Sequence, residues 1–329
     1  MNRRRVMLLL ATAFVALLPF RSPAPLVYTP GEGWTYEQVG NEGKWRRTRA
    51  KDQLEVAQTA FDAKDYSTAL KAARHTAKTW PLSDYAPRAQ YLVGRCYEIK
   101  HQDERAFKEY QKIIEHHPNA ANLDEILQRQ YQIAGRFLDG QWFRLWNYIP
   151  LYRSMDRTAG LFEKIVTNGP YSDVAAKSQM QAGEARMKQK NYPEAVKAYN
   201  KAADRYSDRP LVASDAIYRA GMAWNKQAQT AEYDQGASAQ AIDSLTDFLT
   251  LYPDEKRVPE AEKTIDSLRK EQAKGSYRIA RFYEKHKKWQ GARVYYNEVL
   301  ALDPNSPFAP EARQRIDDIR KRLEAQPVK

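Results

Sequence analysis

Apolar residues recur along most of this chain at the spacing of helix faces. Two successive stretches show it: Leu54, Ala57 and Phe61, then Leu70, Ala73, Ala77 and Trp80. Residues three or four positions apart share one face of an α-helix, so the pattern predicts amphipathic helices. Short polar or aromatic turns separate such helices at residues 64–66, 190–192 and 287–289. No segment alternates convincingly as a strand does, and the pattern therefore predicts an all-α fold.

A small residue followed by Ala twelve positions later recurs four times. The pairs are Ala57 with Ala69, Gly94 with Ala106, Gly183 with Ala195, and Ala280 with Ala292. In the last three units, Tyr follows the Ala by four positions. This spacing is typical of the tetratricopeptide repeat, a helix-turn-helix unit of about 34 residues. We expect the paired small residues to face each other where the helices touch, and the Tyr to fill the gap toward the next repeat.

Two further repeat units appear once insertions are allowed. Thr158 follows Gly135 by 23 positions, and Ala241 follows Gly221 by 20, instead of 12. The chain is therefore predicted to form about six helix pairs over residues 46–323, with a closing helix at the end and a frayed tail at 324–329. Such an array is a right-handed solenoid, in which each repeat buries its core against its neighbours.

The first 25 residues have the composition of an export segment. Arg3, Arg4 and Arg5 precede an uncharged apolar run of 15 residues, Val6 to Phe20. That run is short for a membrane span, which needs about 20 residues, and fits the core of a signal peptide. Residues 1–25 are thus predicted to be a signal peptide or a retained N-terminal anchor, and cleavage stays open. Residues 26–45 are rich in Pro and Gly and are predicted to be a linker of extended or disordered backbone.

Candidate catalytic chemistry is sparse. The single Cys, Cys96, lies in a predicted helix and is interpreted as a small buried hydrophobic residue. The five His residues are expected on polar helix faces or in loops: His75, His101, His116, His117 and His286. No Gly-rich phosphate loop and no nucleophile elbow is visible. We therefore predict a protein that is not an enzyme and that needs no cofactor or metal.

Positive charge is concentrated at the two ends of the chain. Of the net charge of +12, residues 1–50 hold +5 and residues 255–329 hold +6. No nucleic-acid motif is present, and an exported protein would not meet nucleic acid. An acidic partner face or an anionic lipid surface is the better interpretation, although a solvated helix face would have the same composition. The basic residues predicted to bind a partner are Arg269, Lys270, Arg278, Arg281, Lys287 and Lys288.

The insertion in the third unit is the second candidate contact surface. Residues 141–152 contain five aromatic side chains and one charge, which is dense for a loop. The residues predicted to meet a partner are Trp142, Phe143, Trp146 and Tyr148. An exposed cluster of this kind would contact protein or membrane. The alternative is that the insertion packs against neighbouring helices, because an ordered loop of this length must bury part of itself.

The C-terminal third resembles the BamD family, the tetratricopeptide subunit of the machinery that inserts β-barrels into the bacterial outer membrane. The resemblance lies in Ala280-Arg281-Phe282-Tyr283, Trp289, Ala292 and the segment from Tyr296 to Leu300. Residues 61–66, Trp80-Pro81 and Tyr85-Ala86 resemble the family's opening repeat. The chain departs from the family in having no Cys near its start to carry a lipid, and in having six helix pairs where five are usual.

The resemblance implies a scaffold that binds partner proteins along its concave surface. The implied partners are a β-barrel-inserting outer-membrane protein and sister assembly subunits, with a membrane surface as a further candidate. The implied location is the periplasm, at the outer membrane or anchored through the N-terminal segment. The alternative is a periplasmic repeat protein that coordinates the cell envelope and division with the Tol-Pal system. That type carries an N-terminal coiled coil, for which residues 23–45 hold too many Gly and Pro.

Overall fold

The computed structural model describes residues 26–29, 31, 33–36, 45–119, 122–145, 149–230 and 235–324. Within this part of the chain there are 13 helices and four short strands. The helices are α1 (Ala50–Asp62), α2 (Tyr66–Thr79), α3 (Ala86–Ile99), α4 (Asp103–His116), α5 (Leu123–Leu138), α6 (Met155–Asn168), α7 (Asp173–Lys188), α8 (Tyr192–Arg205), α9 (Pro210–Thr230), α10 (Gln235–Leu251), α11 (Val258–Lys285), α12 (Trp289–Leu302) and α13 (Ala309–Glu324). The predicted six helix pairs and closing helix are confirmed.

The described part of the chain forms two compact units, an N-terminal unit that ends at Leu123 and a C-terminal unit that begins at Asp124. In the N-terminal unit each helix from α1 to α4 packs on the next, and α1 also packs on α3. In the C-terminal unit consecutive helices from α6 to α13 pack in order. Helix α5 joins α6 through an edge-on contact between Tyr131 and Phe162, with ring centroids 5.8 Å apart. Consecutive packing of this kind is what makes a repeat array stable.

The turns inside the repeats share one backbone geometry. After α1, the amide of Lys64 donates to the carbonyl of Phe61 and the amide of Asp65 donates to that of Ala60. These two bonds satisfy the last helix carbonyls and require a left-handed residue between them. The residue at that position has positive φ in five of the repeats: Lys64, His101, Gly140, Lys190 and Lys287. The recurring turn fixes how each second helix folds back on its first.

Small residues line the helix contacts, but their partners differ from the prediction. A Cβ atom on Gly94 would lie 2.4 Å from Cε1 of Tyr110, and one on Gly183 would lie 2.4 Å from Cε1 of Tyr199. The nearest neighbours of Gly94 are therefore the ring atoms of Tyr110, and Ala106 is not among them. In these two repeats the Tyr fills the space beside the Gly of its own repeat. Tyr199 also lies in one buried cluster with Ala220 and Ala223 of α9, the first helix of the next repeat, as the sequence predicted.

Two antiparallel hairpins occur that the apolar pattern did not predict. Strands β1 (Leu26–Thr29) and β2 (Gly33–Tyr36) form one, inside the segment predicted to be a linker. The carbonyl of Gly31 at its turn accepts from the amide of Asp84, 2.9 Å away, which ties the hairpin to the loop after α2. Strands β3 (Phe143–Leu145) and β4 (Ile149–Tyr152) form the other, inside the third repeat. Strands of four residues or fewer hold too little alternation to be read from sequence.

Among the described residues, no helix is both long enough and apolar enough to cross a bilayer. The predicted signal or anchor segment at residues 1–25 lies outside the described residues, as does the tail from residue 325.

Candidate partner-binding surfaces

The N-terminal unit contains a groove between α1 and α3. Its volume is about 620 Å³, and it is open on one side to solvent. Apolar and aromatic side chains form its walls: Leu54, Phe61, Tyr85, Tyr91 and Leu92. Lys51, Arg88 and Arg95 supply positive charge, against one carboxylate from Glu55. Pockets that mix apolar walls with a few charged groups are suited to bind a specific ligand, and this one favours an acidic peptide segment.

Arg95 lines this N-terminal groove. Its guanidinium carbon is 5.7 Å from the centroid of the Phe61 ring, and its Nη1 is 3.5 Å from the hydroxyl of Tyr91. The Nε atom is buried and has no hydrogen-bond partner within the described residues. A half-buried guanidinium held over an aromatic ring is positioned to receive a carboxylate from a bound segment.

Sequence reasoning missed this groove. The groove could have been predicted from the spacing of residues that lie outside the core. The lining residues are spaced three or four positions apart on each helix: Gln58 and Phe61 on α1, and Arg88, Tyr91 and Arg95 on α3. They therefore follow one face of each helix. The two faces meet because α1 packs on α3.

The aromatic insertion of the third repeat is partly packed and partly exposed. Phe143 is buried, and its ring stacks on that of Phe137 with centroids 4.2 Å apart. The guanidinium of Arg157 covers Phe143 at 4.4 Å. Trp142 is 47% exposed and carries the guanidinium of Arg153 at 5.7 Å. Of the four predicted contact residues, the structure offers Trp142 to solvent and places Phe143 inside; Trp146 and Tyr148 lie outside the described residues.

The six basic residues predicted near the C-terminus are all exposed, but they do not form one patch. Arg269 and Arg278 are nine positions apart on α11, so they point to opposite sides of the helix, about 180° apart. Arg281 is paired with Glu311 on α13 at 2.7 Å. Lys287 and Lys288 lie in the turn before α12, where Lys288 faces the ring of Tyr283 at 6.0 Å. The structure therefore separates them into distinct groups.

A polar network around Arg281 holds the closing helix. The carboxylate of Glu311 accepts from the Tyr277 hydroxyl at 2.5 Å and from Arg281. The Tyr296 hydroxyl donates to Glu284 at 2.6 Å, and Arg315 reaches Glu284 at 3.3 Å. The Tyr277 hydrogen bond lowers the pKa of Glu311, and burial raises the pKa of Tyr277. Arg281 therefore has a structural role that was not expected from the sequence.

The Cys and His residues considered as candidates for catalysis or metal binding include two that pack against other side chains. Cys96 is fully buried, as predicted, and burial raises the pKa of its thiol to about 11. His75 was expected on a polar face, and this is wrong. Its ring is half-buried, edge-on to Trp45 and Trp80 at 6.0 and 5.6 Å. Within the described ranges, no three His, Cys, Asp or Glu side chains are grouped so that they could hold a metal ion.

Comparison with known proteins points to one family for the C-terminal part of the chain. A family model described as "Outer membrane lipoprotein" matches residues 153–303, and a tetratricopeptide repeat model matches residues 88–120. The outer membrane protein assembly factor BamD of Caulobacter vibrioides is 25% identical over 155 residues. Both matches support a place for this chain in the BamD family. The match covers 47% of the chain and 50% of the Caulobacter protein, so the chain spans about half the length of that relative.

Solved structures of tetratricopeptide repeat proteins match this chain at low identity. A tetratricopeptide repeat protein of Bacteroides fragilis is 14% identical, with a TM-score of 0.39 over 84% of this chain and 100% of that one. The C-terminal part of a tetratricopeptide repeat protein from Cytophaga hutchinsonii is 16% identical, with a TM-score of 0.36 over 80% and 87%.

The BamD-family match and the candidate surfaces overlap only in part. The matched residues 153–303 include α6 to α12 and with them all six basic residues near the C-terminus. The N-terminal groove and Trp142 lie outside this stretch. The tetratricopeptide match covers most of α3, which forms a wall of the groove, and all of α4.

Proposed function

We propose that this BamD-family protein is a non-enzymatic scaffold that holds partner proteins during assembly of outer-membrane β-barrels. The family match over residues 153–303 is the observation that carries the proposal. The tetratricopeptide fold supports it, because arrays of this kind present extended surfaces to other proteins. The partners that fit are a β-barrel-inserting outer-membrane protein and sister subunits of the assembly machinery.

The two units offer different kinds of contact. The N-terminal groove, with Arg88 and Arg95 among aromatic walls, suits an extended segment of a partner that carries acidic groups. The exposed basic residues of α11 suit the acidic face of a folded partner. The first contact would determine how long a complex lasts. The second would act mainly on the rate of association, as exposed charges do.

Residues 1–25 are proposed to direct the protein to the cell envelope, as a cleaved signal or a retained anchor. The sequence has one Cys, Cys96, which is buried. Labelling cells with a clickable fatty acid and fractionating their envelopes tests this location. Retention of the protein in the cytosol would contradict it, and acylated protein would show attachment through a lipid.

Depletion of the protein tests the function itself. We expect folded outer-membrane β-barrels, recognised by their altered migration without heating, to decline as the protein is lost. Arg88→Glu together with Arg95→Glu should reproduce that decline. Lys71→Glu, an exposed charge on α2 outside the groove, is the matched control. If depleted cells keep normal β-barrels and instead fail in envelope constriction, the role in barrel assembly is wrong and the alternative in division is favoured.

A further inference from the structure

We propose that the hairpin of the third repeat is a contact site for an anionic phospholipid bilayer. The site, called here the hairpin patch, consists of Trp142, Tyr152, Arg153 and Arg157, together with Lys190 of the next turn. Each of these side chains is exposed. The proposal concerns a surface outside the N-terminal groove and is independent of which protein partners the scaffold holds.

The aromatic part of the hairpin patch is presented by a rigid base. Phe143 stacks on Phe137 and is buried, which fixes the start of β3 to the end of α5. Trp142, one position earlier, is held outward at 47% exposure, and Tyr152 at the end of β4 is 38% exposed. The Tyr152 hydroxyl accepts from Arg157 at 2.5 Å. Trp and Tyr have an apolar ring and a polar group, so they favour the boundary between lipid and water.

The charge of the hairpin patch fits an anionic surface. No Asp or Glu occurs between Asp139 and Asp156, whereas Arg144 and Arg153 lie between them. Asp156 is paired with Arg186 of α7, which also reaches Glu163 at 3.5 Å. The guanidinium of Arg153 lies 5.7 Å from the Trp142 ring, which keeps a cation beside the aromatic group. Clusters of basic and aromatic side chains bind anionic lipid headgroups at the membrane surface.

The neighbouring turn extends the positive surface. Lys188 Nζ donates to the carbonyl of Leu138 at 3.0 Å, which brings the turn after α7 against the base of the hairpin. Lys188 and Lys190 in this turn are both exposed. Within the described residues the sheet of the hairpin has two strands, so each strand has an outer edge. Such edges suit the headgroup region and not the hydrocarbon interior, where unpaired backbone groups are costly.

Quenching of Trp142 fluorescence by brominated lipid tests the proposal. The full chain is mixed with vesicles of phosphatidylcholine alone or with phosphatidylglycerol, brominated near the headgroup. The chain has seven Trp residues, so the signal of Trp142 is taken as the difference between the parent and Trp142→Phe. We expect this difference to be quenched on anionic vesicles and not on neutral ones. A local readout is needed because the apolar run at residues 6–20 could itself bind vesicles.

Charge variants test the recognition of anionic lipid. Arg153→Gln should raise the lipid concentration needed for half-maximal quenching about fivefold, since one cation near an anionic surface contributes roughly 1 kcal/mol to binding. Lys177→Gln on α7 and Tyr171→Ala in the loop before α7 alter exposed side chains of the same unit and should leave the titration unchanged. Absence of Trp142 quenching on anionic vesicles would overturn the proposal. So would quenching of equal strength in the parent and in Arg153→Gln.

Discussion

The ring of Tyr110 occupies the space that any side chain at Gly94 would need. A Cβ atom on Gly94 would lie 2.4 Å from Cε1 of Tyr110 and 2.8 Å from its Cδ1. The Tyr110 hydroxyl donates to Glu98 at 2.9 Å, and Glu98 lies on α3, one turn after Gly94. The ring is therefore held at both ends of its contact with α3. Tyr199 has the same relation to Gly183, so the contact is a repeated unit of the fold.

Gly94→Ala should destabilise the N-terminal unit. The new methyl group would overlap the Tyr110 ring, which is fully buried and cannot swing away without opening the core. Overpacking of this kind costs about 1–3 kcal/mol, and Gly94→Leu should cost at least as much. Urea unfolding followed by circular dichroism measures the loss. An unchanged midpoint for both variants would mean that the contact is not tightly packed.

Gly135→Ala is the matched control for this overpacking. Gly135 lies on α5 at the corresponding place in the third repeat, and a Cβ atom there would meet nothing within 4 Å. Replacing Gly by Ala in a helix interior then stabilises by roughly 0.5–1 kcal/mol through backbone entropy. We expect the two substitutions to change stability in opposite directions.

The sequence predicted the order of the helices because each repeat carries its own helix-face pattern and small residues. It did not predict which side chain faces Gly94, since spacing along the chain gives the face of a helix but not the rotation of its neighbour. The hairpin at residues 143–152 was missed for another reason. Its buried ring, Phe143, is fixed by stacking on Phe137 in the preceding helix. A single tertiary contact of this kind does not produce a repeated spacing in the sequence.

The stability of the first repeat should depend on pH through His75. Burial, aided by the charge of Arg46, lowers the pKa of His75 from 6.5. The imidazole therefore stays neutral in the folded chain at a pH where the unfolded chain begins to bind a proton. Burial of the neutral His75 ring therefore contributes to the free energy of unfolding above about pH 6.5. This contribution is lost as the pH falls below that value.

His75→Phe should remove this dependence while keeping a ring between Trp45 and Trp80. The difference in unfolding free energy between variant and parent should shift in favour of the variant as the pH is lowered from 8 to about 5.5, a window around the ordinary pKa of His. His116→Gln, at an exposed position at the end of α4, controls for general effects of losing a histidine. A difference that stays constant over this range would show that His75 titrates as an exposed group does.

The closing helix should loosen when Glu311 loses its charge. Its carboxylate accepts from Tyr277 and Arg281, and both hydrogen bonds lower its pKa. Glu311→Gln should therefore speed amide hydrogen exchange in α13 while leaving α11 and α12 protected. Asp317→Asn is the control, because Asp317 pairs with Arg320 within α13, at 3.3 Å. Because the folded pKa is lowered, the parent should lose the same protection as the pH falls through that pKa.

Exposed cations on one side of α11 are expected to guide association with an acidic partner. Arg278 and Lys285 are seven positions apart and share a face of the helix, and both are exposed. Reversing both charges should slow association with the β-barrel-inserting partner and flatten its dependence on salt, while helical content is unchanged. Arg281 is a poor choice for this test, because its reversal would also break the ion pair with Glu311.

Arg269→Glu is the matched control for the same helix. Arg269 is exposed on α11 about 180° away from Arg278, so a partner that docks on the Arg278 side would not meet it. Surface plasmon resonance at several salt concentrations gives the association rate of each variant. Equal rates and salt slopes for the double reversal and the parent would show that this side of α11 is a solvated helix face. If Arg269→Glu slows association and the double reversal does not, the partner docks on the side of α11 that carries Arg269.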